Sequence, residues 1–271
     1  MSTATAAAAK AARRTQIVRS DRGHILTLEH VPYMDSLEDT MQAVALREAE
    51  EGYSILADSA GDAKRLFPRD LRRRSKSPLF FSILLRPKIF PQKAMTVAAL
   101  TSVAVCRVLR RELDKDAGIL WPNRIISKGK LAASFRMKCA LHPTDGTYQY
   151  VIVSIAIPLA DAAERDFLAN TVSHVFSGTS DNFRERVAMT LLHEIYTLYE
   201  GMDRKHFLPE YRAFLLHKNA PVLLRHPRRG LGTVRDIDDD GRLLVDLPDG
   251  TAFPVLSPDD ILRIYSKRKT K

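Results

Sequence analysis

Residues 120–132 read Leu-Trp-Pro-Asn-Arg-Ile-Ile-Ser-Lys-Gly-Lys-Leu-Ala. Trp121 is the only tryptophan of the chain, and a single large ring of this kind commonly anchors a core. Pro122 restricts the backbone behind it and so aims Asn123 to one side. Apolar stretches flank the segment: Ile119 to Trp121 before it and Leu131 to Cys139 after it read as strands.

Outward from there, Tyr148 to Ile157 is a further strand, joined to the preceding one by the turn sequence Pro143-Thr-Asp-Gly146. Upstream, Gln92 to Leu113 carries apolar residues at spacings of three and four and reads as a long helix. Leu79 to Leu85 is a compact apolar run stopped by Arg86-Pro87, the pattern of an interior strand. Met34 to Glu51 reads as a helix with an N-cap in Asp35-Ser36, Ser54 to Ala57 as a short buried strand, and 61–77 as a loop. Phe183 to Glu200 and Leu208 to Leu216 complete the helices.

After Lys218 the texture changes to short strands at Ala220 to Arg225, Gly232 to Ile237, Leu243 to Leu247 and Ala252 to Val255, with Asp240-Gly241 and Asp249-Gly250 as hairpin dipeptides. The expectation is an α+β fold, a mixed sheet packed with helices, followed by a small barrel of roughly fifty residues. The expected divisions are a mobile basic arm over 1–22, a main domain over 23–217, the small domain over 218–266, and a basic tail over 267–271.

A chain of 271 residues has enough interior to fold without bridges or structural metal. Cys106 and Cys139 sit among apolar neighbours and read as two buried free thiols, which suits a reducing cytoplasm. No run of eighteen apolar residues occurs, so secretion and membrane spanning are not expected. The formal charge of +10 is concentrated in Lys64, Arg65, Arg69, Arg72 to Arg74 and Lys76, and in the tail, and clusters of this kind attract phosphates or acidic surfaces. Nucleic acid is a poor candidate partner, because no aromatic residues are interleaved with these cations.

Other constellations fail on spacing. His193-Glu194 lacks the second histidine of a zinc helix, and Asp236 to Asp240 lacks the distal glutamate of a calcium loop. No phosphate-binding loop motif occurs, so no metal site is expected.

Trp121-Pro-Asn123 and Lys130-Leu-Ala132 resemble the W-P-N-D…K-L-A signature of biotin protein ligases. Further matches fall in the same order. Asp35-Ser36 resembles the start of the family's D-S-T-N helix, Ile55 to Asp58 its strand before the glycine-arginine loop, and Phe80 to Pro87 its F-S-x-L-L-R-P strand. Tyr150 to Pro158 lies where the family has a G-I-G-I-N strand, and Asp238 to Val245 resembles its C-terminal hairpin. The resemblance spans about residues 25–265 and implies a class II synthetase-like biotin/lipoate ligase domain with an SH3-like C-terminal domain. The helix-turn-helix that some members carry in front is missing, so no operator binding is expected.

The resemblance also implies chemistry: joining biotin to ATP, with Mg2+, to give biotinyl-adenylate, then transfer to a lysine of a biotin carboxyl carrier-type domain. Charge growing on the phosphoryl oxygens calls for cations and close backbone donors. On this basis Lys130 is the catalytic candidate, with Lys128 as a competing alignment. Ser36, Lys64, Arg65, Arg69, Trp121, Asn123, Arg124, Ser154 and Ala156 are the substrate-binding candidates. A homodimer through a sheet edge is compatible with the family.

Four departures face the ligand. Ala63 to Arg69 replaces the family's G-R-G-R-R-G loop without any of its glycines. Arg124 replaces an aspartate and can neither accept a proton nor attract a protonated amine. Ser154 to Pro158 fills the small gaps of G-I-G-I-N, and Leu37-Glu38 replaces two polar residues of D-S-T-N. Two functions therefore stand: a ligase with an altered ligand site, or a catalytically inactive ligase-fold module that docks a carrier domain or another protein.

Overall fold

The computed structural model describes residues 13–62, 78–112, 116–158, 181–225 and 230–264. Its larger sheet has eight strands: β1 (Arg14–Arg19), β2 (Ile25–Met34), β3 (Tyr53–Ala60), β4 (Leu79–Leu85), β5 (Gly118–Leu120), β6 (Arg124–Ser127), β7 (Lys130–Leu141) and β8 (Tyr148–Ile157). They lie in the order β1-β2-β3-β4-β8-β7-β6-β5. All neighbours are antiparallel except β2 and β3. That parallel pair needs a crossover, which helix α1 (Leu37–Leu46) supplies.

Alternation along the central strands explains the two layers. Phe81, Ile83 and Leu85 of β4 face the larger core with helices α2 (Ala94–Glu112) and α3 (Asp181–Glu200), while Phe80 and Leu84 face α1 through Leu37, Met41 and Ala45. Both faces of β4 are buried along its whole length, which is why its sequence is a continuous apolar run. Pro91–Arg111 is long and apolar enough to cross a membrane by length and composition. Its apolar window is 78% buried, as befits a core helix.

Several expectations change. The proposed arm contains β1, which pairs with β2 from Arg14↔His30 to Arg19↔Ile25; a basic edge strand lacks the apolar period by which a buried one is recognised. The first helix is shorter than Met34 to Glu51. Met34 belongs to β2, and Glu48 at φ 58° turns the chain out of the helix. Strand β6 was hidden beside the tryptophan motif. Cys106 is buried, but Cys139 is exposed on β7.

Helix α4 (Leu208–Phe214) leads into the C-terminal domain, whose strands are β9 (Pro221–Leu224), β10 (Leu231–Ile237), β11 (Leu243–Asp246), β12 (Ala252–Val255) and β13 (Ile261–Ile264). They form one antiparallel sheet in the order β12-β11-β10-β9-β13. This is the small SH3-like domain expected, and among the described residues no pairing joins β12 to β13, so its strands form an open sheet. The two domains share one apolar core, with Val222, Val234 and Leu243 in the cluster that also holds Trp121 and α2.

Candidate functional site

Register pairing across the larger sheet aligns one residue from each of six strands: Val31, Ala57, Phe80, Ala156, Ser134 and Arg124. Paired residues project from the same face, and Val31, Ala57, Phe80 and Ala156 pack in the α1 cluster. The adjoining row runs Ile55, Ser82, Ser154 and Arg136. These rows lie toward the sheet end where β3 leaves at Ala60 and β4 enters at Leu79. The basic candidates Lys64, Arg65 and Arg69 lie outside the described residues, but Asp62 and Pro78, which bracket their segment, stand at this same end.

The N-terminus of α1 closes the face from above. Ser36 is its N-cap, accepting a hydrogen bond from the Asp39 backbone N–H at 3.2 Å. The Ser36 hydroxyl also donates to Asp62 Oδ2 at 3.0 Å, and the same oxygen accepts the Glu38 backbone N–H at 3.2 Å. Glu38 is buried and lies 3.5 Å from Arg136 Nε across the face. Ser154 and Ser82 are buried with their hydroxyls 3.0 Å apart. An ion pair and a hydroxyl pair thus line the floor beside the buried methyl of Ala156.

The tryptophan motif divides its labour. Trp121 is buried, and its indole N–H donates to the Gly241 carbonyl at 2.9 Å, in the β10–β11 turn of the C-terminal domain. Gly241 sits at φ 83°, and a Cβ there would lie 2.7 Å from the Met95 carbonyl oxygen, so this turn is pressed against the start of α2. Thr96 and Lys205 also reach Asp240, and Arg212 reaches Asp239. The aspartate run is a turn, as expected, and it is also the joint between the domains.

Asn123 donates its side-chain amide to the Phe135 carbonyl at 2.8 Å while its own carbonyl accepts the Phe135 N–H. It therefore clamps β7 in register. Arg124, next along, is exposed; its backbone pairs with Leu120 and Ser134, and its side chain makes no hydrogen bond or ion pair among the described residues. Lys128 and Gly129, at φ 49° and 75°, form the two-residue hairpin tip between β6 and β7. Lys130 pairs with Ser127 directly after it. A bulge at Ala132 follows, and Leu131 packs toward the α1 cluster. Strand alternation then puts Lys130 in the row of Ser127, opposite in sense to Leu131.

On the helix side of the same sheet end, His30 stands between two carboxylates. Its Nδ1 is 2.8 Å from Glu185 Oε1 and its Nε2 is 3.1 Å from Asp58 Oδ2. Both ring nitrogens face acceptors, so the doubly protonated imidazolium fits. The Asp58 hydrogen bond, opposed by burial and aided by Glu185, raises the His30 pKa above its usual value. Burial pushes the Asp58 carboxyl up, but His30 and Arg184 outweigh it and leave it below the usual range. Arg184 lies 2.8 Å from Asp58 and donates to the Pro78 carbonyl at 2.7 Å. This cluster ties β2, β3, β4 and α3 together beneath the site.

Asp62, Ser134, Arg136 and the His30 cluster escaped the sequence reading. For Ser134 and Arg136 a signal existed, since they alternate with Ala133 and Phe135 along a strand already recognised. Among the described residues no group of three His, Cys, Asp or Glu side chains could hold a metal ion.

Comparisons with known proteins converge on this architecture. Residues 222–266 match the biotin protein ligase C terminal domain family. A curated relative, the bifunctional ligase/repressor BirA of Bacillus spizizenii, is 22% identical over 242 residues, covering 82% of this chain and 71% of its own. The biotin protein ligase of Aquifex aeolicus, solved in complex with biotin and ATP, superposes with a TM-score of 0.63 at 18% identity, covering 86% of this chain and 97% of that one. A biotin protein ligase-like protein of unknown function from Silicibacter gives a TM-score of 0.62 at 14% identity, covering 89% and 96%. With the fold, the ordered motifs and the C-terminal match in agreement, the chain has the fold of the biotin protein ligases and is similar to them along most of its length.

Proposed function

We propose that this protein forms an acyl-adenylate from a carboxylic acid and ATP, releasing pyrophosphate, and passes the acyl group to a lysine amine of a carrier domain of the biotin carboxyl carrier type. The observation that carries the reading is the Arg124–Ser134–Ala156 row, which opens at the sheet end shared by the α1 N-terminus and both ends of the basic segment. Arg124 is an exposed guanidinium suited to the negative charge that develops on phosphoryl oxygens. It cannot take the proton of the attacking amine. Glu38 and Asp62 are the carboxylates beside the α1 N-terminus that offer acceptor oxygens there. Two unbridged cysteines accord with a reducing compartment.

A second reading, a catalytically inactive module that docks a carrier domain, is favoured by two observations. Lys130 follows the hairpin tip in the row opposite in sense to Leu131, and the Glu38–Arg136 and Ser82–Ser154 pairs occupy the floor.

Pyrophosphate exchange with ATP, Mg2+ and biotin or lipoate separates the two. The enzyme reading expects exchange that Arg124→Ala lowers by about tenfold, a loss of roughly 1.4 kcal/mol of transition-state stabilisation. Parallel Lys130→Ala and Lys128→Ala variants decide which lysine serves. Absence of exchange with every acid offered, together with capture of a carrier domain, would establish the second reading.

A further inference from the structure

The turn between β1 and β2, Ser20 to His24, lies on the last turns of α3, at the sheet end opposite the candidate site. Glu200 Oε1 holds it twice: the Ser20 hydroxyl donates at 2.6 Å, and His24 Nδ1 lies 2.6 Å away. The Ser20 hydroxyl accepts the Arg22 and His24 backbone N–H groups, so one carboxylate oxygen gathers the whole turn. A second contact joins Asp21 to His193 Nε2 at 3.3 Å and to the Thr197 hydroxyl at 3.4 Å.

The two histidines differ in what they face. The Glu200 side chain is 5% exposed, whereas that of Asp21 is 63% exposed. A carboxylate withdrawn from water needs an opposite charge, while an ion pair standing in solvent contributes little. Among the described residues His24 alone pairs with the Glu200 carboxylate as a cation. Arg22 donates to the Glu200 backbone carbonyl instead.

The other carboxylates around His24 favour the same charge on it. Its ring meets Tyr196 edge-on at 5.8 Å, and the cavity of about 480 Å³ beside it is also lined by Glu48, Glu50, Glu51 and Arg86. Arg86 is committed to the carbonyls of Ala45, Ala49 and Gln149, and Arg19 to that of Gly23. Glu51 accepts the Tyr196 and Tyr199 hydroxyls. Burial first, then Glu51 and Glu200, hold the Tyr196 phenol above its usual range, so both carboxylates act on the ring that His24 touches. Around His193, Asp21 faces the ring and the neighbouring Glu194 is taken by Arg107 and Arg111. The arginines keep their charge throughout the neutral range, so histidine is the group that changes.

We propose that His24 and Glu200 form a proton-operated clasp. As an imidazolium, His24 fastens the β1–β2 turn onto α3. Once neutral, it leaves Glu200 a buried carboxylate without a counter-charge, and the turn lifts from the helix. The contact favours the protonated ring, so the clasp is closed in mildly acidic solution and opens as pH rises. Strand β1 has a strand neighbour on one side alone, and it then loses its fastening at this end while the cavity beside Tyr196 opens. The solvent-exposed Asp21–His193 contact adds little.

The test is amide hydrogen exchange of the full chain at about pH 5.5 and about pH 8, read by mass spectrometry in a peptide spanning the turn. Dividing by the exchange of the same peptide free in solution at each pH removes the intrinsic pH dependence. Protection of the wild-type turn should fall about tenfold between the two pH values. His24→Asn, at a half-exposed position, keeps a donor for Glu200 without a titratable charge and should show the lower protection at both. Glu200→Gln should flatten the response likewise, and His193→Gln should keep most of the fall. His30, at the other end of α3, is common to all the proteins compared, so its titration cancels.

Wild-type protection that is unchanged or rises with pH overturns the proposal, as does a His24→Asn protein that retains the fall. Loss of the fall in His193→Gln but not in His24→Asn would move the device to Asp21 and overturn it equally. Should Glu200→Gln be too unstable to measure, His24→Asn decides alone.

Discussion

His217 lies between α4 and β9, where the chain passes from one domain to the other. It is 5% exposed, and among the described residues neither ring nitrogen has a hydrogen-bond partner. Burial pushes its pKa down from 6.5 to about 4. The unfolded chain therefore binds a proton more readily than the folded one, and stability falls as pH drops from above 6.5 toward 4. For this one group the loss between ~pH 7.5 and ~pH 5 is about 2 kcal/mol, approaching about 3.4 kcal/mol once pH is well below the folded value.

His30 works in the opposite direction. Its pKa is raised, so its contribution is fully present below 6.5 and is lost as pH rises through its folded value. Comparing wild type with His217→Phe cancels that term. Urea unfolding at the two pH values should show wild type losing about 2 kcal/mol more than the variant on acidification. Equal pH dependence in the two proteins would refute the assignment of a neutral, buried imidazole to the domain joint.

The joint itself should be sensitive to single atoms. Gly241→Ala introduces a Cβ 2.7 Å from the Met95 carbonyl oxygen at a residue with φ 83°. It should cost about 2–3 kcal/mol in urea unfolding, and a neutral result would mean the turn is not pressed on α2. Trp121→Phe leaves the Gly241 carbonyl unpaired and should cost about 1–3 kcal/mol by the same assay. His30→Gln removes the cation between Asp58 and Glu185 and should cost about 2 kcal/mol in mildly acidic solution. That cost should shrink as pH rises, because the wild-type imidazolium is itself lost; a cost that grows with pH would reverse the assignment.

Much of the fold was legible because its signals are local. The buried run Leu79–Leu85, the helix after Gln92, the strand Tyr148–Ile157 and the cap at Ser36 each carry their pattern within a few residues, and all stand where expected. Edge elements were not legible. Strand β1 is basic and β13 is short, so neither shows a buried period, and β6 has only Ile125 and Ile126 between polar ends. The site was legible in part. Ser36, Ser154, Ala156 and Arg124 share the α1 side of the sheet, whereas Trp121 and Asn123 bond to backbone, one across the domain joint and one along β7.

The sequence by itself determined the order of the principal buried elements, the resemblance to a ligase family and the change of charge at Arg124, because motif identity and side-chain chemistry are properties of residues in line. Only the tertiary structure decided that Asp62 meets Ser36 and Glu38, that Arg136 meets Glu38, and that His30 is held between Asp58 and Glu185. Those pairings depend on strand register and on a parallel crossover through α1. Each brings together residues far apart in the chain, and a one-residue slip would send the strand residues among them, Arg136, His30 and Asp58, to the other face.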